Sequence, residues 1–301
     1  MKSYKDITGD GGSNIVEQVI EQADRLRRQV AGIKHIVAVM SGKGGVGKSS
    51  VTVNLASVLA LHGHSVGILD ADINGPSIAR MTGTYNQTLS RSENGLLPAS
   101  GFLNLKIMSM DLFLNDDVSP VLWQAPTQKD AYTWRGMMEA TAVREFISDT
   151  EWGELDFLMI DLPPGTDKLP NLIDLLPQIS GTMIVTIPTG ISQFVVGKSI
   201  HMAASVLNTP VIGLIENMCG QSCPHCGKAN DLFQVGLGRE QAEKHNIPFL
   251  GSIPFDSQLA LCADKGKAFM ESFPGSSAAI SLSDIAAGLQ QFVSKNERSF
   301  Q

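Results

Sequence analysis

Short unbroken apolar runs alternate along the chain with longer stretches in which apolar residues recur every three or four positions. The runs occupy 35–40, 65–69, 105–110, 156–160, 182–188, 210–216 and 249–254. Each is brief and bounded by turn residues, the pattern of a strand buried on both faces. Helical spacing appears at 48–62, 131–147, 192–207, 239–245 and 280–293. Strands alternating with helices predict a single α/β domain with a mostly parallel central sheet and helices on both faces. Ahead of it, Ile15, Val16, Val19, Ile20, Ala23, Leu26 and Val30 share one helical face, with arginines opposite. Residues 1–32 therefore read as a lead-in helix and 33–301 as the main domain. Residues 80–101 and 115–130 follow neither period and are expected to be loops.

In such sheets ligands sit at the carboxyl ends of the strands. One junction there carries a specific signal. Gly42-Lys43-Gly44-Gly45-Val46-Gly47-Lys48-Ser49 follows the first strand and opens a helix, and Ser50 continues it. This is the G-x-x-x-x-G-K-[ST] pattern in its required setting, so the domain is expected to be a P-loop NTPase. Glycines let backbone N–H groups turn inward around phosphate oxygens, and the helix N-terminus favours negative charge. Lys48 is expected to reach the β- and γ-phosphates of ATP, and the Ser49 hydroxyl to bind Mg²⁺.

A Mg-nucleotide site also needs carboxylates. Two further strands end in them, at Asp70-Ala71-Asp72 and at Asp161. Asp161 suits the metal side, assisted by Asp70, and Asp72 suits positioning of the attacking water. Each could instead be a turn or capping residue, because aspartate is common in both.

The net charge of −7 argues against a general nucleic-acid or anionic-membrane binder. The polar first dozen residues carry no secretory signal, and no apolar run reaches the roughly 18 residues that span a bilayer. The expected location is the cytoplasm. The four cysteines then point to metal or redox chemistry rather than disulfides. Cys223 and Cys226 form a C-x-x-C, the spacing for two bonds to one metal centre. Two thiolates do not close such a site, whereas two copies of the chain would supply four. Iron–sulfur and zinc both fit four thiolates, and a thiol–disulfide pair is a further alternative. Cys219 and Cys262 read as buried thiols, and His225 as solvent-facing.

Lys43 narrows the class. The Lys-Gly-Gly-x-Gly-Lys-Ser arrangement resembles the deviant Walker A motif of the MinD/ParA/nitrogenase iron-protein superfamily. That resemblance implies a homodimer in which Lys43 reaches the partner's nucleotide. Further blocks resemble the Mrp/ApbC-type iron–sulfur carrier ATPases: Asp70-Ala-Asp-Ile-Asn-Gly-Pro-Ser77, Asp161-Leu-Pro-Pro-Gly-Thr166, Glu216-Asn217-Met218, Cys223-Pro-His-Cys226, and Trp134-Arg-Gly with Trp152-Gly153. They stand in family order from about His35 to Lys267. The resemblance implies slow ATP hydrolysis, Asn217 reading the adenine, and a labile cluster, 4Fe-4S in type, bridging a homodimer at the Cys pair for transfer to apoproteins. The chain departs from the family at Trp123-Gln-Ala-Pro126, which suggests an insertion, and at Met137, Asp167-Lys168, Val195 and Cys219. Two other readings remain. One is a MinD/ParA-like partner switch with structural zinc at the Cys pair. The other is an electron donor like the nitrogenase iron protein.

Overall fold

A computed structural model describes residues 15–114, 131–222, 229–230 and 236–299. Helix α1 (Ile15–Val30) leads into strand β1 (Ile33–Met40), helix α2 (Lys48–Leu61), strand β2 (Val66–Asp70) and the single turn α3 (Ile78–Met81). Two short strands follow, β3 (Ala99–Ser100) and β4 (Lys106–Met108). Then come α4 (Ala131–Asp149), β5 (Leu155–Asp161), α5 (Lys168–Leu175), β6 (Gly181–Thr186) and α6 (Gly190–His201). The chain continues as β7 (Val211–Ser222), β8 (Ala229–Asn230), α7 (Leu237–Lys244), β9 (Phe249–Phe255), α8 (Ser257–Asp264), α9 (Phe269–Ser272) and α10 (Ser277–Ser299).

Among the described residues the strands form one sheet in the order β3-β4-β2-β5-β1-β6-β7-β8, with β9 also paired to β7. The pairs among β4, β2, β5, β1, β6, β7 and β9 are parallel, and only the short β3 and β8 run antiparallel. Side chains of β1 divide between the two faces, as strand pleating requires. Val37 and Val39 join the core under α2 and α10, while Ile36, Ala38 and Met40 join the one under α4, α5 and α6.

α2 is buried along most of its length, so its polar residues must be satisfied internally. Thr52 and Ser57 do this by donating to the carbonyls of Lys48 and Val53, one turn back. Leu55, Val58 and Leu59 on the same helix are at most 1% exposed, each worth about 1.5–3 kcal/mol of burial. On the other face Trp152 is wholly buried beneath β2. A Cβ on Gly67 would stand 2.8 Å from Leu155 Cδ1 and 3.1 Å from Trp152 Cε3, so the ring packs where glycine leaves room.

The expected strands and helices are present with shifted ends, and the differences are informative. The run at 210–216 extends to Ser222, because the second half of β7 is paired by β9 and β8. The helix expected at 192–207 changes pitch. α6 gives way to a π-helical turn at Met202–Val206. The last helix outruns 280–293 at both ends. α5, α8 and α9 are too short to show a period. The 80–101 loop is held by Ser92 and by bridges Arg91–Leu96 and Leu96–Thr150. α1 packs against α4, with Arg25 3.0 Å from Asp149. The stretch 115–130 lies outside the described residues.

Candidate nucleotide and metal site

β1 ends in the P-loop and hands it to α2. Gly45 and Gly47 both take φ of 79°, a left-handed conformation that side chains rarely adopt. Gly47 is constrained twice, since a Cβ there would lie 2.3 Å from Asn217 Nδ2. Gly42 backs onto α6, where a Cβ would meet Val195 Cγ1 at 2.6 Å and Ser199 Oγ at 2.9 Å. The Ser41 hydroxyl donates to the Lys43 carbonyl, and the Gly165 N–H donates to the Ser41 carbonyl, both within 3.0 Å. Gly44, Gly45 and the Lys43 side chain face solvent, Val46 is buried, and Ser50 is partly covered.

Beneath the loop Asp161 ends β5, fully buried. One of its oxygens accepts from Lys48 Nζ at 2.5 Å and from Ser49 Oγ at 2.6 Å, and the other from Thr52 Oγ1 at 2.7 Å. Lys48 is itself only 6% exposed. Three residues expected at the site, Lys48, Ser49 and Asp161, thus converge at one point. Thr52 joins them, one helical turn after Lys48, a position no motif singles out.

Asp70 stands beside Asp161 in register across β2 and β5. It accepts from the backbone N–H groups of Ser77 and Ile78 at 2.9 and 3.0 Å, from Ser109 Oγ at 3.1 Å and from the Asp72 N–H at 3.2 Å. Burial, and secondly the Asp161 charge, push its carboxyl up to about 7. Asp72 is half-buried and accepts from the Gly75 N–H at 3.3 Å. Burial raises its pKa, against the pull of Lys48.

Asn217 is buried and donates through Nδ2 to the Val46 carbonyl at 2.9 Å, so its amide braces the P-loop from behind. Glu216 accepts from the Gly238 N–H. The Cys219 thiol donates to the Glu216 carbonyl at 3.4 Å. Burial, and secondly the Glu216 side chain, hold it protonated well above the usual thiol range. Cys262 is a core residue, as expected. Cys223 and Cys226, together with His225, lie outside the described residues.

One link had no signal in the sequence. Glu139 of α4 accepts from Asn74 Nδ2 at 2.5 Å and pairs with Lys168 Nζ at 3.0 Å. It thereby ties the turn after β2 to the start of α5. Lys168, a departure from the family pattern, is one end of that tie.

The residues fit a Mg-nucleotide on two observations. The loop's glycines leave a cradle that side chains would fill. At its floor a buried cation, two hydroxyls and a carboxylate stand together, able to exchange partners with a phosphate and a metal ion. No helix among the described residues is long and apolar enough to cross a membrane.

Comparisons with known proteins bear on the fold and the family. A family model described as ParA, NUBPL iron-transfer P-loop NTPase, matches residues 32–290. The chain is 44% identical over 247 residues to an iron-sulfur cluster carrier protein of Methanocaldococcus jannaschii, covering 82% of this chain and 81% of the relative. It is 38% identical over 262 residues to a cytosolic Fe-S cluster assembly factor of Bos taurus, covering 85% and 92%. Among solved structures, a nucleotide-binding protein of Archaeoglobus fulgidus in complex with ADP superposes with a TM-score of 0.69 at 37% identity, over 82% of this chain and 92% of that one. The cell division ATPase MinD of Pyrococcus furiosus shares the fold, at a TM-score of 0.58 and 18% identity over 86% and 99%. The chain belongs to the ParA/NUBPL family of iron-transfer P-loop NTPases.

Proposed function

We propose that this protein is an ATP-dependent iron–sulfur cluster carrier. It takes up a labile cluster at Cys223 and Cys226 and passes it to apoproteins, with slow ATP hydrolysis timing the exchange. The observation that carries the nucleotide half is the Lys48–Asp161–Ser49–Thr52 cluster under a glycine cradle. The cargo half rests on the C-x-x-C and on relatives named as iron-sulfur cluster carriers.

In this reading the N–H groups of residues 44–49 hold the phosphates and Lys48 leaves Asp161 for the β- and γ-oxygens. Ser49 and Asp161 hold Mg²⁺, which offsets phosphate charge. Asp70 has its oxygens taken by backbone donors, so its part is to hold the turn that carries Asp72. Asp72 orients the attacking water. Asn217 keeps the loop's shape while presenting the rest of its amide toward the base. Lys43, exposed at the loop's rim, serves a second copy's nucleotide in a homodimer. That dimer brings four thiolates to one 4Fe-4S cluster.

The test is iron and acid-labile sulfide content after anaerobic reconstitution, in wild type and in Cys223→Ala/Cys226→Ala, with ATPase activity measured alongside. Oxygen-labile iron and sulfide that depend on both cysteines, at about one cluster per dimer, are expected. Tight zinc and no iron would sink the carrier reading and leave a partner-switch ATPase with a structural clasp.

A further inference from the structure

One cavity opens away from the nucleotide cradle. It is a groove of about 740 Å³ between α6 and α7. Its walls carry Lys198 and His201 from α6, and Lys244 at the end of α7 with His245 just after it, with Gln193 and Gln241 also lining it. Among the described residues no carboxylate lines it. In a chain with a net charge of −7, this is a local inversion of sign. Glu240 and Glu243 lie on α7 but outside the groove.

Three features mark the groove as built for an occupant. Gln193 is 5% exposed and gives its amide N–H to the Ile187 carbonyl, yet its Oε1 has no hydrogen-bond partner among the described residues. A buried acceptor without a donor costs about 1–3 kcal/mol, and a turn of the amide toward the groove would offer it to a peptide N–H. Phe194 at the groove wall is 70% exposed, with Lys198 Nζ 4.8 Å from its ring centroid. An apolar ring capped by a cation suits a segment that mixes carboxylates with an apolar side chain. The third feature is the π-helical turn that begins at Met202. It widens the helix where His201 and Met202 line the groove, and such turns recur at functional sites.

The geometry points to a docking groove for an acidic, extended peptide segment of a partner protein. Cations on both walls meet its carboxylates, Phe194 meets an apolar residue, and Gln193, with its amide turned outward, accepts from its backbone. The position also couples it to the ATPase. α6 bears the Val195 and Ser199 atoms that abut Gly42 of the P-loop, and Thr166, in the loop after Asp161, lines the groove's end. α7 is the helix that follows the Cys223/Cys226 segment in the chain. That the partner is a cluster recipient rests on the carrier reading; the groove's chemistry does not.

Fluorescence anisotropy on the full-length, cluster-free protein tests this. The probe is a labelled peptide of alternating glutamate and glycine around a central leucine, with its glutamine counterpart as control. The glutamate peptide is expected to bind, more weakly as salt rises, and Lys198→Glu/Lys244→Glu to weaken it about tenfold or more. Arg28→Glu on α1 controls for general charge and is expected to leave affinity unchanged. Thermal melting and analytical ultracentrifugation of the double variant confirm that fold and oligomeric state are intact. Equal binding of the glutamine peptide, or equal loss in Arg28→Glu, overturns the proposal. So does tighter binding of oligouridylate, which would make the groove a nucleic-acid site. A double variant that changes oligomeric state would reassign the groove to a second copy of this chain. Because no cluster is present, peptide binding survives if the carrier reading fails, and a loaded cluster survives if the groove reading fails.

Discussion

Asp70 and Asp161 are neighbours in register, both fully buried, both at the carboxyl edge of the sheet. Their partners differ in kind. Asp161 is held by the ends of side chains, a lysine and two hydroxyls, each able to swing to another acceptor. Asp70 is held mostly by backbone N–H groups, which cannot move without dismantling the turn. One carboxylate is an exchangeable contact and the other a fixed anchor, although the sequence around each reads alike.

Removing the exchangeable contact gives the largest expected effect. Asp161→Ala strands Lys48 as a buried unpaired cation, a loss of about 3–5 kcal/mol in urea unfolding. ATPase activity is expected to vanish with it. If saturating Mg-ATP restores the lost stability, Lys48 has found a phosphate and the exchange picture is confirmed. Asp70→Ala strands backbone donors instead, with an expected loss of about 2–3 kcal/mol. Added Mg-ATP should recover little of it, since the nucleotide does not replace an anchor. A full recovery would erase the distinction between the two aspartates.

Gly47→Ala probes the loop above them. Left-handed backbone costs a residue with a Cβ about 1–2 kcal/mol, and the clash with Asn217 adds to it. ATP affinity measured by calorimetry is expected to fall. Gly47→Ala/Asn217→Ala should regain the part due to the clash and not the part due to φ. Additive losses in that cycle would mean that Asn217 does not brace the loop.

The smallest effect belongs to Asp156, at the opposite end of β5 from Asp161. Lys34 Nζ at 2.7 Å and the Ser65 N–H at 2.8 Å hold its carboxyl down to about 2. A folded pKa below the unfolded value contributes stability above about pH 4, lost as pH falls toward 2. Asp156→Asn should flatten that part of the stability–pH curve by about 1 kcal/mol, after allowing for solvent at a partly exposed pair. Nucleotide affinity should not change.

These contrasts also mark what was legible in advance. The apolar run at 156–160 and the P-loop were readable because strand burial and phosphate cradling both act locally. So was the arrival of Asp161 at Lys48 and Ser49, since a parallel sheet brings its carboxyl ends together. Roles set by distant partners were not legible. Asn217 meets Val46 and Asp70 meets Ser109 only once the sheet has formed. Glu139 has no motif, and its bonds to Asn74 and Lys168 join three separate segments. The helix at 192–207 showed an unbroken apolar period, and the pitch change at Met202 leaves no trace in such a pattern.

Trp152, sealed under Gly67, has an optical consequence. It is fully buried, and its indole N–H has no partner among the described residues. Its emission should therefore be blue-shifted, resistant to iodide quenching and steady when ATP is added. Any nucleotide-dependent change in intrinsic fluorescence then arises elsewhere than at Trp152. An unlabelled protein thus carries an internal optical reference that a quencher leaves untouched.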